Sequence, residues 1–107
     1  MAYEVVWTSH ARADVDSAIS YIATILDSPT AAAQHLDAFL EAVERLADAP
    51  ELYAISPQSS LVARGLRCCH VKRYVMLYSF DGNRVVIHRV FSMLQDYAKL
   101  IEREDRG

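Results

Sequence analysis

Two strand-like runs separated by one tight turn constrain this chain more than any other feature. Tyr74 to Phe80 (YVMLYSF) and Val85 to Phe91 (VVIHRVF) are β-branched and aromatic, and Asp81-Gly82-Asn83 between them are residues that tolerate positive φ. That pattern predicts an antiparallel hairpin. Upstream, Leu66 to Val71 is the right length for a third strand, so the stretch from Arg64 to Phe91 reads as a three-stranded meander. The joint between its first two strands, at Lys72 and Arg73, carries no turn residue, and a tight bend is required there.

The rest of the chain supplies what such a sheet must pack against. Tyr3 to Trp7 (YEVVW) reads as a short strand, and Thr8 or Ser9 after it can cap a helix from about His10 to Asp27. Ala11, Val15, Ala18, Ile19, Ile22, Ile25 and Leu26 recur at helical spacing on one face, which leaves Arg12, Asp14, Asp16 and Ser20 on the wet side. Ser28-Pro29 is a helix opening, and the second helix runs to about Asp48 with Ala32, His35 or Leu36, Phe39, Leu40, Val43 and Leu46 as its stripe. Two amphipathic helices joined this closely lie antiparallel. Glu51 to Leu61 (ELYAISPQSSL) reads as an exposed connection, and Ser92 can cap a final short helix carrying Met93, Tyr97, Leu100 and Ile101 on one face. The expected fold is therefore α+β, a single domain over residues 1–107. A small antiparallel sheet, made of the N-terminal strand and the meander, packs against a helical hairpin, with a short helix at the end.

Charge divides the chain. Residues 1–51 hold nine acids against Arg12 and Arg45, while residues 64–89 hold Arg64, Arg67, Lys72, Arg73, Arg84 and Arg89 against Asp81 alone. The formal net charge of -3 hides that asymmetry, which suits either an anionic partner for the basic half or attraction between the halves. No run is long enough to span a membrane, the first fifteen residues do not form a signal peptide, and a cytoplasmic location is the expectation. Cys68 and Cys69 diverge on a strand, so they support neither a disulfide framework nor a metal cluster, and no cofactor motif is present.

The residues with chemical potential are few. His70, Lys72 and Tyr74 would share one face of a continuous strand, with Arg67, Cys69, Val71 and Arg73 on the other. Arg67, Lys72, Arg73, Arg84 and Arg89 are the candidates for contact with a target or a nucleic acid. As an acid/base set for RNA cleavage the candidates are His70, Lys72, Arg73, His88, Arg89 and Tyr97. The competing structural reading is a solvated edge with two histidines at the margin of the core.

In element order and in the segments YEVVWTSHARADVDSAISYI, RYVMLYSFDGNRVVIHRV and QDYAKLI, the chain resembles the RelE/ParE superfamily of type II toxin-antitoxin (plasmid stabilisation, addiction module) toxins. Tyr74, Tyr78, Arg89, Val90, Asp96 and Tyr97 occupy the places of that family's signature. The resemblance implies a toxin that arrests growth when released from a cognate antitoxin, and docking of the antitoxin by added secondary structure, for which Tyr3 to Trp7 and the terminal helix are candidate surfaces. It leaves the cellular target open between DNA gyrase, bound as ParE-like toxins bind it, and mRNA on the ribosome, cut as RelE-like toxins cut it. A member that only binds its antitoxin is a third reading. Ribonuclease members place an arginine past the last strand and a tyrosine beyond it, and those positions here are Gln95 and Ile101. Their sheet arginine falls near His70. Those departures, with the acidic net charge, favour the gyrase-directed reading and a protein that is not itself an enzyme.

Overall fold

The computed structural model describes residues 2–53, 65–95, 99–101 and 103. The order of elements is β1 (Glu4–Trp7), α1 (Ser9–Ser20), a π-helical turn (Tyr21–Ile25), α2 (Pro29–Asp48), β2 (Arg67–Val71), β3 (Tyr74–Phe80) and β4 (Arg84–Ser92). β2, β3 and β4 form the expected antiparallel meander in one four-stranded sheet of order β1-β4-β3-β2. β1 completes it alongside β4, and its direction is parallel, with Val5 opposite Val85 and Trp7 opposite Ile87. The sheet is therefore mixed at that one edge.

Local chemistry explains the boundaries. Thr8 sits in an extended conformation and its hydroxyl accepts the Ala11 N–H at 3.0 Å, while Ser28 does the same for Ala31 at the start of α2, where Pro29 occupies the first helical position. The hairpin turn is built by Asp81, whose carboxylate accepts the Asn83 and Arg84 N–H groups, each at 2.9 Å. Those bonds, from Arg84 and then Asn83, hold the carboxyl below its usual range. Gly82 supplies the positive φ, +95°.

Four expectations are corrected. The first helix does not run regularly to Asp27: α1 ends at Ser20, and the next turn widens so that the Leu26 N–H reaches back to the Tyr21 carbonyl. Ser92 closes β4 instead of capping a helix, its hydroxyl accepting the Leu94 N–H at 3.2 Å and its own N–H donating to Gln95 Oε1 at 2.9 Å. Lys99, Leu100, Ile101 and Arg103 are helical. Tyr74 does not share a face with His70, because Lys72 and Arg73 are the two residues of a turn and the chain reverses between them. Asp14 does not point to solvent, as shown below. The connection expected over Glu51 to Leu61 lies mostly outside the described residues.

The sheet buries both faces. Beneath the helices lie Cys69, Val71, Met76, Tyr78, Val85, Ile87 and Val90, packed on Ala11, Val15, Phe39, Ala42 and Leu46. On the opposite face Leu66, Val75, Leu77 and Phe91 are covered by Leu100 and Ile101.

Tyr78 is fully buried, and its hydroxyl donates to the Pro50 carbonyl at 2.8 Å. Burial pushes its phenol up to about 12. An unfolded tyrosine ionises near pH 10, so the stability tied to this group is complete below that pH and is lost as pH rises through about 12. Urea denaturation across that range is expected to show a fall of about 2 to 3 kcal/mol. Tyr78→Phe removes that slope; the same slope in the variant would assign it to other groups.

Candidate functional site

The two outer positions of the meander hold the histidines. His70 is exposed on β2, and its cross-strand neighbour is Val75, which is opposite Phe91. His88 lies at an irregularity of β4 where Leu77 is paired with Arg89 and Tyr78 with Ile87, so one extra residue is accommodated. Its Nε2 is 2.8 Å from the Ser79 hydroxyl. Between these histidines runs β3, and the outward side chains Val75 and Leu77 are sealed under the C-terminal helical residues.

The cations are equally divided. Lys72 and Arg73 are exposed at the β2–β3 turn, with Lys72 at a φ of +53°. Arg84 is exposed at the start of β4, beyond the far end of β3. Since Tyr74 is opposite Ser92 and Phe80 opposite Val85, the length of β3, about 20 Å at 3.4 Å per residue, separates the two locations. Arg67 is half-buried and its guanidinium donates to the Tyr53 carbonyl.

Arg89 is held inside the fold. Its Nε and Nη2 donate to the two oxygens of Asp14 at 2.7 and 3.0 Å, and its guanidinium carbon stands 4.4 Å above the Phe91 ring. Asp14 Oδ2 also accepts the Val90 N–H at 2.9 Å. β1 pairs with β4 only as far as Ile87, and α1 covers the edge beyond that point. Thr8 donates its hydroxyl to the His88 carbonyl at 2.7 Å, and Asp14 satisfies Val90 two residues later. The acidic half and the basic half thus meet in a defined clamp. Tyr97, and with it Arg64 and Asp96, lies outside the described residues.

The buried thiol is poorly placed as a nucleophile. Cys69 is fully buried, which pushes its thiol up despite the opposing influence of Tyr53 and Arg45. Among the described residues no group of His, Cys, Asp and Glu could hold a metal ion, and no helix is long and apolar enough to cross a membrane.

A feature absent from the sequence reading is a groove of about 990 Å³ between the tip of the helical hairpin and the end of the sheet. Tyr21, Ile22, Leu26, Ala31 and His35 form its helical wall; Lys72, Arg73, Tyr74, Met93 and Leu94 form the other. His35 Nδ1 is 2.8 Å from the Ala31 carbonyl, and its ring meets Tyr74 edge-on at 6.0 Å. Burial raises the Tyr74 phenol above its ordinary range. The wall residues were legible singly as apolar positions, but their meeting depends on the widened turn and on the reversal at Lys72-Arg73.

With this geometry in view, residues 5–97 match the family model described as the ParE toxin of the type II toxin-antitoxin system parDE. The chain belongs to the ParE toxin family. Its fold is also that of solved toxin-antitoxin structures. The chromosomal ParDE system from P. aeruginosa superposes with a TM-score of 0.69 at 20% identity, covering 85% of this chain and 96% of that one. The toxin-antitoxin complex RelBE2 from Mycobacterium tuberculosis gives 0.58 at 22% identity, covering 86% and 99%. By sequence comparison the chain matches no curated protein. As a ParE-family toxin it is the poison half of a type II pair, and the expectation of a toxin of the RelE/ParE kind holds.

Proposed function

We propose that this type II toxin arrests growth by binding a protein target, DNA gyrase, and does not itself cut RNA. One observation carries the reading: the two sheet histidines stand on either side of β3 with Val75 and Leu77 between them under Leu100 and Ile101. Two inter-strand spacings alone put their backbones about 10 Å apart, and His88 lies three residues along β4 from Phe91, the residue level with His70, which lengthens that separation. A general acid and a general base must both reach one reacting group within hydrogen-bond distance. The apolar seal leaves no space on that line for a phosphate and a 2'-hydroxyl. Ile101, where ribonuclease relatives carry a tyrosine, is fully buried, and Gln95 is engaged with the Ser92 backbone. Arg89 is committed to Asp14 and Arg67 to the Tyr53 carbonyl, so of the five candidate cations Lys72, Arg73 and Arg84 are the exposed ones proposed to meet the target. The neutralising partner is a cognate antitoxin that folds against the toxin.

The test is a supercoiling assay with purified gyrase, relaxed plasmid and the toxin, run beside mapping of RNA ends after induced expression. Loss of supercoiling with intact transcripts is the expected result. Unimpaired supercoiling at every toxin excess, with transcripts cut, overturns the proposal in favour of the ribonuclease reading. Unimpaired supercoiling, intact transcripts and no growth arrest assign the chain to binding alone.

A further inference from the structure

β2 is one edge of the sheet: among the described residues it pairs with β3 on one side and with no strand on the other. Its pairing with β3 fixes which backbone groups face the open side. Val71 and Tyr74 close a two-residue turn and are a hydrogen-bonded pair, so the antiparallel alternation makes Cys69 with Met76 and Arg67 with Tyr78 the next ones. Cys68 and His70 belong to the intervening pairs. Their N–H and C=O groups therefore point away from β3, and a row of this kind is a template for a further strand.

The same two residues share a face of the sheet. Cys68 is opposite Leu77 and His70 opposite Val75, which places both side chains on the face away from the helical hairpin. Cys68 is half-buried against the apolar cluster there, and His70 is exposed. At 3.4 Å per residue their backbones stand about 6.8 Å apart along the strand. A thiol and an imidazole so placed are half of a ligand set, since a closed zinc site takes four.

The symmetry of the strand supplies the other half. β2 is Arg67–Val71, five residues centred on Cys69. A second copy pairing antiparallel over the full length of this strand sets Cys69 against Cys69, and Cys68 of each copy against His70 of the other. Because Cys68 and His70 carry the outward N–H and C=O groups, each such pair exchanges two hydrogen bonds, and the backbone accepts the register. Two cysteines and two histidines then stand on one face at the corners of a rectangle of about 5.5 by 6.8 Å. Zinc binds sulfur at about 2.3 Å and imidazole nitrogen at about 2.0 Å, and this donor set in a tetrahedron is one it favours. Charge does not oppose the approach. Arg67, the one arginine or lysine of β2, donates to the Tyr53 carbonyl, and antiparallel pairing holds it about 14 Å from its copy, beyond the screening length of about 8 Å at physiological salt.

We propose that a zinc ion joins two copies of this chain edge to edge, held by Cys68 and His70 of each, so that their sheets become continuous. Binding releases the two Cys68 thiol protons to solvent, and the two thiolates neutralise the dication. The apolar cluster beside Cys68 keeps water from one side of the metal. This dimer is independent of the macromolecule that the exposed cations meet.

The test uses the full chain, purified under reductant and stripped of metal, then titrated with zinc chloride in an analytical ultracentrifuge. A shift from monomer to dimer that saturates at one zinc per pair of chains is the expected result. Cobalt(II) in place of zinc is expected to show a thiolate charge-transfer band together with the d–d bands of a tetrahedral site. Amide hydrogen exchange at Cys68 and His70 slows when zinc is added, because those N–H groups become bonded across the edge. Cys68→Ser and His70→Ala each weaken the zinc-dependent dimer by more than the roughly 10- to 100-fold that loss of an outer-shell partner costs. His70→Cys restores four ligands and retains it, and His10→Ala, at an exposed position near the start of α1, leaves it unchanged. Folding of every variant is checked by its thermal transition in the absence of metal. Zinc bound by single chains without dimerisation, a dimer that forms equally with EDTA, a dimer untouched by Cys68→Ser, or cobalt spectra lacking the thiolate band overturns the proposal.

Discussion

Phe39→Ala is expected to lower the unfolding free energy by about 3 to 5 kcal/mol, the range for emptying a large aromatic side chain from a close-packed site. Phe39 is 1% exposed at the middle of α2 and joins the principal cluster between the helical hairpin and the sheet. Its ring meets Tyr74 at 5.7 Å and 64°, an edge-on arrangement that adds to the area it buries. Backbone on both sides is fixed by hydrogen bonding, so the site cannot collapse onto the vacancy. Chemical denaturation should show a lower midpoint with an unchanged slope. Phe39→Leu, which keeps most of the volume, should cost less than half as much. A loss below about 1 kcal/mol for Phe39→Ala would mean that the hairpin does not rest on the sheet in the observed way.

The elements that were legible are those whose causes are local. Asp81-Gly82-Asn83 announces its turn because one carboxylate can satisfy the next two backbone donors, and the structure uses it so. Ser28-Pro29 announces α2 for the same kind of reason, with a hydroxyl for an orphan N–H and a ring that fits the first helical residue. The direction of β1 has no such local cause. The β-branched and aromatic residues of Glu4–Trp7 state that a strand exists, but parallel pairing follows from where the hairpin of helices returns the chain and from β4 having an open edge. The widened turn is hidden in the same way, since Ile19, Ile22, Ile25 and Leu26 keep helical spacing, and the change is revealed only by the Leu26 N–H reaching Tyr21 and by Ile22 being buried while Tyr21, Ile25 and Leu26 are exposed.

The candidate site was less legible because face assignment depends on where turns fall. Counting alternation straight through Lys72 and Arg73 puts His70 and Tyr74 side by side; a two-residue turn at that point puts Tyr74 beneath the helices, against Phe39 and His35. Lys72 adopts φ +53° without being glycine, asparagine or aspartate, so composition gave no hint of the bend. Charge counting has a similar blind spot. It treats Arg89 as available to a partner, when a carboxylate 75 positions earlier in the chain has already taken it.

That pairing yields the second large effect. Asp14→Ala is expected to destabilise the protein by about 3 kcal/mol, because three hydrogen bonds end on one carboxylate. Arg89 and Asp14 are only 20% and 17% exposed, so the arginine left behind is poorly hydrated, and the Val90 N–H at the uncovered edge of β4 loses its acceptor. Asp14→Asn separates the two contributions. Its amide oxygen can still accept from Val90 but cannot neutralise the guanidinium, so its cost should fall between wild type and alanine. Arg89→Met leaves the Asp14 carboxylate without its cation but still accepting the Val90 N–H, so it should cost less than Asp14→Ala, which strands both the guanidinium and the strand donor. The double variant Asp14→Ala with Arg89→Met should then recover part of the loss, a coupling measurable by a double-mutant cycle. Additive losses would show that the two side chains do not act as a clamp, and that Arg89 is available to a partner after all. If they are coupled, Arg89→Met should impair growth arrest only as far as it lowers the folded fraction, whereas substitution of the exposed Lys72 and Arg73 should act on partner binding with stability unchanged.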